Sequence, residues 1–182
     1  MAALVPSLVD ASLVLRPAPP DDVPVLEQWD ADPVIAGMLG EDDYADWTAE
    51  IANDDPHSEQ LIAELAGRPI GFMQIIDPQL ERTHYWGEVA AGLRALDIWI
   101  SAAADRGRGL GSRMMQLAHH RCFRLLGARA ILVDPLASNT SAIRFYARLG
   151  YRQIDRRVFA GVDDCWVMQL ERSDWERSSP QS

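Results

Sequence analysis

LDIWIS (96–101), AAADRGRGLGSRMMQLAHHRCFRLLG (102–127) and ARAILVDPLASNTSAIRFYARLG (128–150) follow one another without a break. The first piece reads as a short apolar strand. It passes through Arg106-Gly107-Arg108-Gly109-Leu110-Gly111 into a helix over 110–126, apolar at Leu110, Met114, Leu117, Ala118, Cys122 and Leu125, the spacing of one helical face. Gly127 caps that helix. Residues 130–133 form a second buried strand. Ser138 and Asn139 are N-cap candidates for a second helix, which ends at Gly150 and carries Tyr146.

A glycine-rich turn at a helix start has a physical use. The first helical N–H groups lack intrahelical partners, and the helix dipole makes that end partly positive. Glycines let the backbone approach an anion closely, so the turn is a natural phosphate cradle. Arg106, Arg108 and Arg113 add positive charge around it. No Gly-Lys-Ser/Thr follows, so it is not a nucleotide P-loop. The alternating Gly107, Gly109 and Gly111 also depart from the Gly-x-Gly-x-x-Gly dinucleotide fingerprint. On its own the turn serves equally well as a plain strand-to-helix connection.

It does not stand alone. Arg106-x-x-Gly109-x-Gly111 after a strand, followed by Asn139…Ala142-x-x-Phe145-Tyr146-x-x-x-Gly150-Tyr151, resembles the GNAT superfamily of acyl-CoA-dependent N-acetyltransferases. The resemblance covers residues 13–171, and its specific part 96–151. It implies an α/β (α+β) fold with a central mixed, mostly antiparallel twisted sheet of about six or seven strands, flanked by helices on both faces. It implies acetyl-CoA as co-substrate, its pyrophosphate in the turn Arg106, Gly107, Arg108, Gly109, Leu110, Gly111 and Ser112, with Asn139 as a further contact. The reaction would be attack of a neutral amine on the acetyl thioester. The oxyanion needs a donor, which the resemblance implies is a backbone N–H around Trp99 or Ile100. The departing thiolate benefits from a proton, and Tyr146 sits where the family's acidic tyrosine sits. Asn139 serves equally as a helix cap, and a buried Tyr equally as packing with a satisfied hydroxyl.

Asp97 is the more distinctive residue. A carboxylate inside Leu96-Asp97-Ile98-Trp99-Ile100 is costly to bury without a partner, and alternation puts Asp97, Trp99 and Ser101 on one face. It would hold an incoming ammonium, or accept its proton through water; bonded to Arg94, it would be structural. Arg94-Ala-Leu-Asp97, the turn, and Asp134-Pro135-x-x-Ser138-Asn139-x-x-Ala142-Ile143-Arg144-x-Tyr146 are similar to the aminoglycoside 6′-N-acetyltransferases. That resemblance implies that Asp97 binds the reacting amine. Glu88 is a second candidate by its place before the strand. Ala90-Ala91-Gly92 stands where some members carry Asp-Pro-Gly, and Trp29 is followed by Asp30 where some carry paired tryptophans. Siderophore precursors, polyamines and peptide N-termini therefore stay open as acceptors. A non-catalytic acyl-CoA-binding protein is the alternative of a different class.

Composition narrows the partners. The 182 residues suit a single domain, 1–182, with residues 1–11 and 173–182 loosely held. The 17 basic residues are all Arg. Residues 1–105 hold 20 Asp and Glu against 4 Arg (net −16), and residues 106–182 hold 7 against 13 (net +6). The basic half suits an anionic cofactor and the acidic half a cationic substrate; overall acidity argues against nucleic acid. No apolar run reaches a membrane span, and 1–17 lacks the positive region of a secretory signal, so a cytoplasmic location is expected. Cys122 and Cys165 have no metal spacing, and His84, His119 and His120 have no ligand partners, so no metal is expected. Whether the chain is a monomer or a homodimer stays undecided.

The remainder supplies the other elements. Strands are expected over 12–16, 59–65, 69–76, 151–159 and 165–170, and helices over 23–29 and 43–53; 77–85 reads as a loop and 86–93 as a strand or pocket rim. The resemblance puts the region between the first two strands over the substrate. Acidic residues there, Asp42 and Asp43 among them, interleave with Trp29, Tyr44 and Trp47. Trp29, Asp42, Asp43, Tyr44, Asp97 and Glu88 are thus the candidate acceptor contacts.

Overall fold

The structure, a computed structural model, describes residues 12–37, 46–53, 55–159 and 161–178. Its strands are β1 (Leu13–Pro17), β2 (Ser58–Leu65), β3 (Arg68–Ile76), β4 (Leu93–Ile100), β5 (Ala130–Val133), β6 (Arg152–Phe159) and β7 (Asp163–Glu171). They form one seven-stranded sheet in the order β1-β2-β3-β4-β5-β7-β6. Every neighbouring pair is antiparallel except β4 and β5, which run parallel. The mixed, mostly antiparallel sheet expected from the sequence is the sheet observed.

Helices α1 (Val23–Asp30), α2 (Pro33–Ala36) and α3 (Trp47–Ala52) lie on one face. There Leu26, Trp29, Ile35 and Trp47 pack on Ile62, Phe72 and Trp99 of three adjacent strands. Helices α4 (Leu110–His120) and α5 (Thr140–Arg148) cover the other face. Leu110, Met114, Met115 and Tyr146 join Leu61, Met73, Leu96, Ile131 and Val133 in the largest buried cluster. The alternation of β4 explains the division: Leu96 faces α4, whereas Trp99 faces α3. Close contact between β3 and β4 depends on Gly71, where a Cβ would lie 2.3 Å from the Trp99 carbonyl oxygen.

Three boundaries differ from expectation. The long helix stays α-helical only to His120 and continues as a π-helical turn, Arg121–Leu125. β4 starts at Leu93, so it takes in the end of the ambiguous 86–93 stretch; the rest is turns. Of the tail 173–182, expected to be loosely held, residues 173–178 belong to α6 (Arg172–Ser178). Its Trp175 stacks on Phe123 with ring centroids 5.0 Å apart, and Arg124 lies 5.1 Å over the same ring. A polar tail with one tryptophan reads as frayed until that docking surface exists.

Candidate active site

The pairing of β4 with β5 is short. It runs from Leu93↔Ala130 to Ala95↔Leu132 and stops, while β4 continues to Ile100. Beyond Ala95 the two parallel strands part at their C-terminal ends, the usual ligand position in such sheets. The cleft they open has a volume of about 960 Å³, and Asp97, Trp99, Gly107, Gly109, Asp134 and Tyr146 are among its lining residues. The helices that follow the two strands, α4 and α5, both begin at this cleft, so two positive helix ends face it.

The edge of β4 that leaves β5 carries the backbone donors. The Ser101 N–H donates to the Ile70 carbonyl at 2.9 Å, on the β3 side. By alternation the N–H groups of Ile98 and Ile100 point the other way, toward the cleft. The Trp99 amide is therefore turned to β3, and what Trp99 brings to the cleft is its ring. That ring stacks on Phe72 at 4.5 Å, and its Nε1 is buried with no hydrogen-bond partner among the described residues.

The glycine turn follows. Gly107 and Gly109 have φ of 72° and 78°, left-handed values that favour glycine, and Gly109 is the N-cap of α4. At Gly111 a Cβ would meet Phe145 at 3.5 Å and Ile100 at 3.6 Å, so α5 and β4 close on the first turn of α4. Gly107, Gly109, Gly111 and Ser112 all line the cleft. Positive-φ glycines, a helix start and β4 amides turned to the cleft fit an extended thioester with a pyrophosphate. Arg106 also lines the cleft, but its Nε donates to the Ile100 carbonyl at 2.9 Å and its Nη2 to that of Ser101 at 2.6 Å. It fastens the turn to the end of β4. Arg108 is exposed and bonded to Asp105 at 3.2 Å, away from the lining. Leu110 is 5% exposed within the α4 core, so only its backbone belongs to the turn. The Asn139 side-chain oxygen accepts from the Ala142 N–H at 3.0 Å, capping α5, and the residue lines the cleft.

Tyr146 is 8% exposed on α5 and reaches the cleft. Burial raises the pKa of its phenol, and the charges of Asp97 and Asp134 raise it further. Behind it, Tyr151 packs at 5.5 Å between ring centroids and shares a 2.9 Å hydrogen bond with His119 Nε2. Burial pushes the His119 pKa down to about 4.

The floor on the α3 side is built across strands. Gln60, Gln74 and Asp97 are register partners on β2, β3 and β4, a polar row beside the apolar row Ile62, Phe72 and Trp99. Gln60 and Gln74 each donate to Ser58 Oγ at 3.1 Å. Asp134 stands two residues beyond Leu132, as Asp97 stands two beyond Ala95. The two carboxylates thus flank the mouth of the parted strands on one face of the sheet. Tyr85 Oη donates to Asp134 Oδ2 at 2.8 Å, and the pKa of that phenol is raised, by burial first and then by Asp134 and Asp97. Glu50, Asp55, Glu81 and Asp163 also line the cleft, so its charge is mainly negative away from the turn.

Asp97, Tyr146, Ile100, Gly107, Gly109, Gly111 and Ser112 line the same cleft. Glu88 does not: it is exposed in the loop before β4 and absent from the lining, because the chain reverses at Gly92 (φ 78°) after it. Trp29 is 8% exposed in the core beneath α3, filling space rather than facing a ligand. Asp42, Asp43 and Tyr44 lie outside the described residues. Sequence reasoning missed Gln60, Gln74, Tyr85, Glu81 and a role for Asp134. The polar positions inside the apolar strands 58–65 and 68–76 were the available signal, but their meeting with Asp97 needs the register. Among the described residues no group of three His, Cys, Asp or Glu side chains is arranged to hold a metal, and no helix is long and apolar enough to cross a membrane.

Residues 18–159 match the family model described as an acetyltransferase (GNAT) domain, and the chain belongs to that family. It is 31% identical over 93 residues to the aminoglycoside N(6')-acetyltransferase type 1 of Klebsiella pneumoniae, which is 50% of this chain and 46% of that protein. The chain thus aligns with about half the length of that curated relative. Among solved structures it is similar to aminoglycoside acetyltransferase AAC(6')-Ib in complex with coenzyme A and kanamycin, with a TM-score of 0.80 and 25% identity, covering 92% of this chain and 99% of that one. A spermidine N-acetyltransferase from Vibrio cholerae shares the fold, with a TM-score of 0.69 and 19% identity, covering 92% of this chain and 98% of that one.

Proposed function

We infer that this chain transfers the acetyl group of acetyl-CoA to a primary amine of a polycationic acceptor, an aminoglycoside 6′-amine fitting best. The carrying observation is the end of the β4–β5 ladder at Ala95↔Leu132, which leaves donors on one side of the cleft and carboxylates on the other. Acetyl-CoA supplies the acetyl thioester. The glycine turn and the start of α4 bind its pyrophosphate. The Ile98 and Ile100 amides face the β5 side, where a thioester oxygen gains negative charge as the amine attacks.

Asp97 holds the acceptor ammonium. A carboxylate is a weak base against an amine of pKa about 10, so the amine's proton leaves through water rather than resting on Asp97. Tyr146 carries its proton throughout the neutral range, because its pKa is raised. Full transfer to a thiolate of ordinary pKa, about 8.5, is uphill for such a phenol. Its contribution is a hydrogen bond to the sulfur as the C–S bond breaks.

Thiol release from acetyl-CoA tests the reading, with aminoglycosides bearing or lacking a 6′-amine, spermidine, and peptides as acceptors. Release only with the 6′-amino compounds is expected. Release with spermidine alone would keep the chemistry and replace the acceptor, the second reading that an acidic cleft and the spermidine N-acetyltransferase fold neighbour support. Acetyl-CoA binding with no release from any amine would favour a non-catalytic acyl-CoA-binding protein.

A further inference from the structure

Tyr85 is held from three directions, although it is 40% exposed. Its backbone N–H donates to Glu81 Oε1 at 2.6 Å. Glu81 is itself 7% exposed and takes two further bonds from Thr83, to the backbone N–H and the hydroxyl, each at 2.6 Å. The Tyr85 ring stacks on Phe159, with centroids 4.5 Å apart and planes 8° apart, and Trp86 packs edge-on to both rings. Its hydroxyl reaches Asp134. A partly buried tyrosine fixed at backbone, ring and hydroxyl is a built feature, since ordering its side chain costs rotamer entropy that partial burial offsets only in part. The loop 77–92 is anchored as well, by the ion pair of Asp77 with Arg94 at 2.7 Å.

The hydroxyl matters through what it fixes. Asp134 directly follows β5, and the backbone after it is held by the Trp166 N–H on the Pro135 carbonyl at 3.0 Å and by the Leu136–Cys165 bridge, so what remains to be set is the rotation of the carboxylate about its own side-chain bonds. A bond to one oxygen sets the plane of the group and leaves acceptor capacity on a carboxylate that has about four lone-pair positions. We propose that Tyr85 is a positioning residue for acceptor recognition: its hydroxyl orients Asp134 so that this carboxylate, together with Asp97, receives an acceptor carrying two ammonium groups. The inference rests on the acetyl-transfer reading of the same cleft. It also explains why the phenol is protonated there: burial and both carboxylates raise its pKa, so it remains a donor throughout the neutral range. Tyr85 touches Asp134, not the reacting atoms.

The test is a double-mutant cycle with Tyr85→Phe, Asp134→Asn and the pair, on the full chain, with kanamycin as probe. Steady-state KM and kcat are measured beside the calorimetric Kd for kanamycin and the KM for acetyl-CoA. Tyr85→Phe is expected to raise acceptor KM and Kd about fivefold to tenfold, less than the full loss of a hydrogen bond to a charged group because the Asp134 carboxylate itself remains. The loss falls on acceptor affinity rather than on kcat or acetyl-CoA KM. In the Asp134→Asn background the same change is expected to add less than twofold, since the two residues act as one. Equal losses in both backgrounds, or none in the wild type, would overturn the proposal. A melting temperature unchanged in Tyr85→Phe separates positioning from folding. Kanamycin binding without turnover takes down the transfer reading and leaves the cycle readable by calorimetry. Turnover with additive variants takes down only the role of Tyr85. Neither binding nor turnover takes down both.

Discussion

The two sides of the cleft are built differently. The donor side is local in sequence. Positions 98–112 run through the end of β4, the turn and the first turn of α4, and Arg106 bonds the carbonyls of Ile100 and Ser101 within that run. The opposite side is assembled from Trp47, Gln60, Gln74, Tyr85, Asp97 and Asp134, which lie on α3, β2, β3, the 77–92 loop, β4 and the segment after β5. One side works through backbone groups, so glycine geometry dominates it. The other works through side-chain charge, so register dominates it. A backbone cradle tolerates many side chains; a row of carboxylates and amides set by register does not.

The contrast breaks down if a change on one side moves the other. Tyr146 stands between the two and should give the largest effect. Tyr146→Phe is expected to lower kcat about 100-fold, the low end for removing one hydrogen-bond donor aimed at developing negative charge, with acetyl-CoA KM unchanged in steady-state kinetics. An unchanged kcat would remove Tyr146 from the chemistry. Asp97→Asn comes next. Loss of a charged hydrogen bond of about 1.5–3 kcal/mol is a 10- to 100-fold drop in acceptor kcat/KM. If acetyl-CoA affinity fell equally, the division between the sides would be wrong.

The packing behind Tyr146 gives a pH test. The His119 pKa is depressed from 6.5 to about 4 in the fold, so between these values the unfolded chain binds the proton first. Stability from this group is full above pH 6.5 and falls toward pH 4, by at most about 3 kcal/mol. Urea melts of wild type and His119→Gln at both ends of that window should show the variant losing less on acidification. A parallel loss would mean that other groups set the acid limb. The smallest effect is expected at the turn. Among the described residues a Gly109→Ala side chain meets no atom within 4 Å, so its φ of 78° is what opposes it. A strain of about 1 kcal/mol that the empty turn relaxes and the bound turn must restore is a roughly fivefold weaker acetyl-CoA, read by calorimetry, with kanamycin binding unchanged. A loss of kanamycin binding instead would join the two sides that the structure separates.

Legibility followed the same line. The sheet, α4 and α5 could be read because each is a local pattern of apolar spacing closed by Asn139, Gly127 or Gly150. Asp97 stood out because a charge inside the apolar run LDIWI is costly to bury without a partner. Tyr85 and Glu81 sat in a loop of irregular pattern and carried no periodic signal. Glu88 and Trp29 were chosen for chemistry and neighbourhood, and the chain path put one outside and the other in the core. Trp175 looked like part of a frayed tail because its partners, Phe123 and Arg124, lie about fifty residues earlier.

The sequence by itself determined the glycine turn, the two helix starts that face it, and the strand that bears Asp97, because hydrogen bonding and φ preference act over a few residues. Only the tertiary structure decided where β4 leaves β5, that Gln60 and Gln74 stand beside Asp97, and that Tyr85 holds Asp134. Those depend on strand register and loop path, which are set by burying side chains far apart in the chain. A shift of a strand by one residue would turn every one of its side chains to the other face.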